Sequence, residues 1–331
     1  MPDTPQNTRG IPAADDMHWM LAALALARNG VGLASPNPTV GCAIVRESRI
    51  VGHGFHQYAE REHAEVVALK QAGEAARGAT AYVTLEPCSH HGRTGPCARA
   101  LIEAGVARVV AATADPNPLV QGRGFAILRE AGVDVSAGLL AAEARELNDA
   151  FAHYIRHRTP LVSLKIAATL DGAIAPSPVT HHERASFAIT GPASRARVQE
   201  LRNAHDALLT GIGTVLADDP LLTDRSQKPR RRPLLRIVLD SELRLPPTSH
   251  ILEGIEDDLL IITRGEGTRS DEVTRRQALT ARGARILTID AQADGGISLR
   301  ALLQKLGEQD ITSVLIEAGA RLNRSALVAD S

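Results

Sequence analysis

Short aliphatic and β-branched runs alternate along this chain with segments whose apolar residues recur at helical spacing, and they do so in two successive series. Such alternation commits a chain to a layered α/β architecture, because each helix must bury one face against a sheet. The first series predicts a helix over Asp15–Asn29, opened by Asp15 and stopped by Gly30. Strands over Thr39–Val45 and Ile50–Phe55 then read as a hairpin. A helix at His63–Gln71, a strand at Ala81–Leu85 and a helix at Pro96–Ala104, with proline in its first turn, come next. Val106–Ala112 and Val133–Val135 are expected as strands, Phe125–Ala131 and Ala141–Ile155 as helices, and Arg156–Pro160 as a linker. The second series predicts strands at Leu161–Ala167, Ala207–Thr210, Leu235–Leu239, Leu259–Ile262, Arg285–Ile289 and Ser313–Ile316. Its helices fall at Ala193–Asn203, Asp271–Ala281, Leu299–Leu306 and Gly319–Val328, and Ala175–Ala185 is a loop. No fixed period joins the series, and 331 residues exceed what one core usually serves. Two unrelated α/β domains are expected, over 13–155 and 160–331.

Charge and composition narrow the function. Thirty-seven basic residues stand against 38 acidic ones, and only eight residues are aromatic. A nucleic-acid binder carries a basic surplus, and a single-strand binder adds aromatic platforms, so neither is expected. Arg230-Arg231-Arg232, between Pro229 and Pro233, reads as a solvated loop. No stretch approaches the ~20 apolar residues that span a bilayer, so no membrane partner is expected. Met1–Pro12 is polar and lacks an apolar signal segment, and a cytoplasmic enzyme is the expectation. Three cysteines cannot form a disulfide framework, and Cys42, within the apolar run Val40–Val45, reads as a buried structural thiol.

His63-Ala64-Glu65 and Glu86-Pro87-Cys88-(eight residues)-Cys97 carry the chemistry. One imidazole and two thiolates leave the fourth tetrahedral position of a zinc ion open, as a catalytic site requires. Water there would ionise near a pKa of roughly 7 and could attack an amino-bearing ring carbon. Glu65, two residues from His63, is placed to take the water's proton and pass it to the ring nitrogen and the departing ammonia. His-x-Glu followed by Pro-Cys-x-x-Cys is the zinc deaminase signature, although here eight residues separate the cysteines rather than two. The competing reading is a structural zinc closed by His90 or His91, which leaves Glu65 without a purpose.

Ser35-Pro36-Asn37-Pro38, Val40-Gly41-Cys42, His63–Val66, Thr84–Cys97 (TLEPCSHHGRTGPC) and Asp115–Pro118 together resemble the bifunctional riboflavin-biosynthesis deaminase–reductase family. Leu164–Gly172, Thr214–Pro220 (TVLADDP), Ile237–Ser241 and Glu317–Leu322 resemble its reductase half. The resemblance implies a cytidine-deaminase-like three-layer domain followed by a dihydrofolate-reductase-like α/β domain. It implies hydrolytic loss of the 2-amino group from a phosphoribosylamino diaminopyrimidinone, then reduction of the ribosyl group to ribityl by NADPH. Carried over by position, His63, Cys88 and Cys97 hold one zinc per chain and Glu65 moves the proton, with Asn37, His56 and His90 as contacts to the pyrimidine. NADPH would be lined by Ala167, Ala188, Thr214, Asp218, Ser241 and the run Gly319, Ala320, Arg321, Leu322, Asn323, Arg324 and Ser325. Free amides at that helix start suit phosphate. Ser186, Arg202, Leu222, Arg225 and Glu317 would line the phosphorylated pyrimidine substrate, the two arginines gripping its phosphate. Lys165 and Asp171 lie near that site without assignable roles, and a homo-oligomer is expected.

Some positions depart from the family pattern. Glu60 replaces a glycine, Gly95 a proline, and Ala188 a tryptophan. The chain also stops at Ser331, where the family continues through further strands, which suggests a reductase domain truncated at its C-terminus and a chain that deaminates better than it reduces. Two other function classes remain open at this point: a nucleic-acid-editing deaminase with an accessory domain, and a zinc deaminase joined to a degenerate, non-catalytic reductase-like binding domain.

Overall fold

The computed structural model describes residues 14–89, 95–175, 188–265, 270–290 and 296–328. The chain divides into two compact units, Met1–Ala152 and His153–Ser331.

The first unit holds one five-stranded sheet. Its elements in order are α1 (Ala14–Arg28), β1 (Gly41–Arg46), β2 (Arg49–Phe55), α2 (Ala64–Ala72), β3 (Thr80–Val83), α3 (Cys97–Glu103), β4 (Arg108–Ala111), α4 (Arg123–Glu130), β5 (Asp134–Ala137) and α5 (Ala141–Glu146). The strand order is β2-β1-β3-β4-β5. β1 runs antiparallel to both β2 and β3, whereas β3, β4 and β5 are mutually parallel. The period-two alternation of a strand divides the apolar residues between two cores. Cys42, Ile44, Ala81, Val83, Val109 and Ala111 face one way, where Ala64 and Ala68 of α2, Ala98 and Leu101 of α3 and Phe125 and Leu128 of α4 cover them. Ala43, Val45, Tyr82 and Val110 face the other way, onto Met20, Ala23 and Leu24 of α1 and Ala144 of α5. Helices on both faces make the expected three layers. Gly52 and Gly54 let α2 lie directly on β2, since a Cβ at either would stand 2.2 Å from Ala68 O or 2.6 Å from Ala64 O.

α6 (Asp149–His157) carries the division between the units. The single helix expected over Ala141–Ile155 is therefore two. Its break has a cause at Asn148, whose side chain accepts from Thr39 N (2.7 Å) and donates to Thr39 O (3.0 Å) and Ala144 O (3.2 Å). The supposed linker at Arg156 is still helical, because α6 runs on to His157.

The second unit holds six strands, all parallel, in the order β10-β9-β8-β7-β11-β6. Its elements are β6 (Leu161–Lys165), α7 (Pro192–Ala204), β7 (Ala207–Gly211), α8 (Ile212–Asp218), β8 (Leu235–Leu239), β9 (Leu259–Thr263), α9 (Ser270–Ala281), β10 (Arg285–Thr288), α10 (Leu299–Gly307), β11 (Ser313–Glu317) and α11 (Ala320–Val328). α8 is additional to the helices expected from the sequence. From β7 the chain steps outward through β8, β9 and β10, then returns to insert β11 between β7 and β6. That reversal creates a crevice at the C-terminal ends of the central strands, where open α/β sheets take their ligands.

The three arginines after Pro229 do not form the solvated loop expected of them. Arg230 is drawn inward and donates to the carbonyls of Arg202 (2.7 Å), Asn203 (2.9 Å) and His205 (2.8 Å), while pairing with Asp224 at 3.2 Å. The end of α7 has unpaired carbonyls, as every helix C-terminus does, and the guanidinium fork satisfies them.

Candidate active sites

His63 is the residue before α2, in extended conformation (φ −79°, ψ 158°), so its ring leaves the helix start while Glu65 sits in the first turn. Cys97 opens α3, and Cys88 lies in the irregular stretch beyond β3. Folding brings their donors together. His63 Nδ1 stands 3.1 Å from Cys97 Sγ and 3.5 Å from Cys88 Sγ, and all three ligand atoms lie within 4.8 Å of one another. Zinc–sulfur bonds of ~2.3 Å and zinc–nitrogen bonds of ~2.0 Å at tetrahedral angles need edges of roughly 3.5–3.8 Å, so the donor set fits zinc. Among the described residues it is the one such cluster. The backbone amide of Cys97 donates to Cys88 Sγ at 3.2 Å. The Cys97 thiol, together with His63 and that amide, lowers the Cys88 thiol, and Cys97 is pushed up beside it.

Glu65 is buried, and burial pushes its carboxyl up to about 7. Cys42 is fully buried, stays a thiol by desolvation, and is outside the donor cluster, as expected. Asn37 and His56 come to the same place. His56 Nδ1 donates to Glu62 O (2.8 Å), which leaves Nε2 to accept from the Asn37 amide at 3.0 Å. The His56 and His63 rings meet edge to face with centroids 5.4 Å apart. His90 and His91 lie outside the described residues.

In the second unit the expected residues gather at the C-terminal ends of neighbouring strands. Ala167 follows β6, Glu317 ends β11 and Gly319 leads into α11, Thr214 and Asp218 lie in α8 after β7, and Ser241 follows β8. Ile166, Gly172, Ile174, Ala320, Asn323 and Arg324 line a cavity of ≈ 480 Å³ there. A Cβ on Gly319 would meet nothing within 4 Å. Arg321 and Ser325 belong to α11, and Ser325 Oγ donates to Arg321 O at 3.1 Å. Leu322 and Leu222 instead point into the cores, which leaves only their backbones for a ligand. Arg202 is buried in a two-bond pair with Glu317 (2.7 and 3.1 Å) and also donates to Thr223 O at 2.8 Å. Its fork is therefore committed to protein partners, whereas Arg225, on the loop it braces, is exposed. Arg236 braces that loop at Leu221 O (3.1 Å) and pairs in two bonds with Asp258. Lys165 is half-buried at the end of β6, and Asp171 is exposed and bonded to Thr169. Ala188 is exposed, and Ser186 lies outside the described residues.

Residues 13–113 match the cytidine and deoxycytidylate deaminase zinc-binding region, and residues 160–331 match the RibD C-terminal domain. Riboflavin biosynthesis protein RibD of Escherichia coli strain K12 is 44% identical over 326 residues, covering 95% of this chain and 84% of that protein. Its counterpart in Actinobacillus pleuropneumoniae is 44% identical over 312 residues, covering 94% and 80%. The solved structure of Acinetobacter baumannii RibD superposes with a TM-score of 0.80 at 42% identity, covering 96% of this chain and 84% of that one. This chain belongs to the RibD family. It is accordingly a two-unit enzyme of riboflavin biosynthesis, with a zinc deaminase unit followed by a reductase unit.

Membership of the RibD family places its two chemistries on separate sheets, each with its own core. Two residues of this chain have roles that their sequence motifs do not give. Glu86 is buried and accepts from three backbone amides, at Asp115 (3.1 Å), Gly122 (2.9 Å) and Gly124 (2.9 Å). Arg230 braces the end of α7 beside Arg202. Glu86 stands in the Glu86-Pro87-Cys88 motif and Arg230 in the basic run, but neither role has a signal in the sequence, because the partners are mostly main-chain atoms.

Proposed function

We propose that the first unit hydrolyses the 2-amino group of 2,5-diamino-6-(5-phosphoribosylamino)pyrimidin-4-one, and that the second reduces the resulting ribosyl group to ribityl with NADPH. One solved relative, from Thermotoga maritima, is described as a diaminohydroxyphosphoribosylaminopyrimidine deaminase and 5-amino-6-(5-phosphoribosylamino)uracil reductase, which supports this choice of substrate. The observation that carries the deaminase reading is the cluster of His63, Cys88 and Cys97 with Glu65 buried two residues from the imidazole. We take His63 Nδ1, Cys88 Sγ and Cys97 Sγ as the zinc ligands, and bound zinc supplies a Lewis acid that makes water a nucleophile near neutral pH. Glu65 takes one proton from the attacking water and delivers it to the ring nitrogen, then takes the proton of the adduct's new hydroxyl and passes it to the amine as the C–N bond breaks and the carbonyl forms. His56, its Nδ1–H held by Glu62 O, orients the Asn37 amide toward the pyrimidine.

For the second step, the strand ends where β11 inserts between β7 and β6 would hold NADPH, with the free amides at the start of α11 suited to its phosphates, and the cofactor would supply hydride. Arg225 meets the substrate phosphate, with Arg202 and Glu317 as the rigid brace behind it. We place the enzyme in the cytoplasm. Among the described residues no helix is long and apolar enough to cross a membrane. The test is to incubate zinc-loaded protein with the diaminopyrimidine phosphate and NADPH while following ammonia and NADPH together. Stoichiometric ammonia followed by NADPH oxidation supports both steps. Ammonia with no NADPH oxidation would remove the second, and no ammonia would remove the first.

A further inference from the structure

No step above uses Glu86, although it is buried and stands two residues before Cys88. A buried carboxylate is costly unless its oxygens are paired. Here Oε2 accepts from Asp115 N and Gly122 N, and Oε1 accepts from Gly124 N. All three donors belong to one segment, residues 115–124, which leads into α4. That segment is closed into turns by its own side chains, since Asp115 Oδ1 accepts from Asn117 N and Asn117 Oδ1 from Leu119 N. It meets the Cys88 peptide a second time at Gly124, where a Cβ would lie 2.0 Å from Pro87 O. Cys88 itself lies past the end of β3 in a stretch without strand or helix. On its far side α3 holds it, through Ala98 N to Cys88 O and Cys97 N to Cys88 Sγ, both at 3.2 Å. The near side is held by the Glu86 clamp.

We propose that Glu86 is a positioning residue of the metal centre: by pinning residues 115–124 onto the Glu86–Cys88 peptide, it sets where the Cys88 thiolate stands relative to His63 and Cys97. This rests on the reading of those three residues as zinc ligands. Groups that orient metal ligands typically change metal affinity or activity by about 10–100-fold when replaced. Glu86→Gln keeps the volume but turns one acceptor oxygen into an amino group that faces a backbone N–H. Gly124→Ala attacks the same contact from the other side, by forcing the start of α4 away from Pro87 O.

The experiment uses the full chain, at a temperature where wild type and variants are folded, with reductase activity as the check on the rest of the molecule. Zinc release to excess chelator is timed, and the spectra of the cobalt(II)-loaded proteins are compared. Glu86→Gln and Gly124→Ala should each release zinc about 10–100-fold faster and shift the cobalt d–d and thiolate charge-transfer bands, with deamination kcat falling more than KM changes. Asp16→Asn, which loosens the same unit through α1, should lower the melting temperature and leave both metal readouts unchanged. The inference is overturned if Glu86→Gln and Gly124→Ala melt early yet release zinc and bind cobalt as wild type does. If Glu86→Gln does not fold, Gly124→Ala against Asp16→Asn decides by the same criteria. Wild-type protein that takes up no metal would overturn the ligand reading itself, a result distinguishable without any variant.

Discussion

At Glu65 a carboxyl is kept from water beside two thiols, and at Arg230 a guanidinium is kept from water among helix carbonyls. In the proposed reaction the first serves the chemistry, whereas the second serves the fold. Glu65→Gln removes the proton carrier at nearly constant volume, so zinc content should stay while ammonia release falls by roughly 10²- to 10⁴-fold. Arg230→Met should leave activity in the first unit untouched but lower the stability of the second by about 3–5 kcal/mol in denaturant unfolding, because Asp224 and the end of α7 lose their partner. A loss below about 1 kcal/mol would mean that Arg230 behaves as the exposed residue its sequence suggested. The metal donors were legible because their residue types are rare and their chemistry is specific. Arg230 was not, because its partners lie on α7, some 25 residues earlier, and a Pro-flanked basic run looks the same whether or not they are near. Glu86 was visible in the Glu86-Pro87-Cys88 motif, but its clamp was not, since backbone amides leave no mark in a sequence.

Most elements were legible from periodicity, and the exceptions have local physical reasons. α8 follows Gly211 and includes Gly213, and glycine is a poor helix former, so the sequence gives no hint of a helix that the end of β7 launches. The break between α5 and α6 comes from Asn148 bonding the backbone at Thr39, a tertiary contact invisible to helical spacing. Two elements position functional residues closely enough to be tested by adding a single carbon. Gly54→Ala puts a methyl 2.6 Å from Ala64 O and 2.7 Å from Val67 Cβ, so α2 must move and carry His63 and Glu65 with it. Overpacking of this kind costs about 1–3 kcal/mol, and deamination should fall more than thermal stability alone explains. Unchanged kinetics would show that β2 does not set the position of α2. Gly319→Val is the opposite case, because its Cβ meets open space. Melting should stay within about 0.5 kcal/mol of wild type, while NADPH binding measured by titration weakens at least tenfold. Unaltered affinity would place the cofactor phosphates elsewhere.

Across the whole molecule the two units should answer differently to acid. Asp16 of α1 accepts two bonds from Arg108 at 2.8 Å and one from Tyr82 at 2.6 Å, and the Arg108 guanidinium holds its carboxyl below the ordinary 3.8. The folded state therefore binds this proton less readily than the unfolded chain. Its stabilisation is complete above the ordinary pKa and is lost as pH falls through 3.8 and below. Asp16→Asn should flatten that part of the acid-unfolding curve of the first unit and leave the second unit's curve as it was. An acid profile identical to wild type would remove the pair from the account. The central claim is that one chain carries two separable sites, one depending on Glu65 and the other not. It is tested most directly with Glu65→Gln, loaded with zinc and given NADPH together with either the diaminopyrimidine phosphate or its already deaminated product. Almost no ammonia and no NADPH oxidation are expected from the first substrate, but wild-type NADPH oxidation from the second. Near wild-type ammonia release, or loss of reduction on the deaminated substrate, would contradict it.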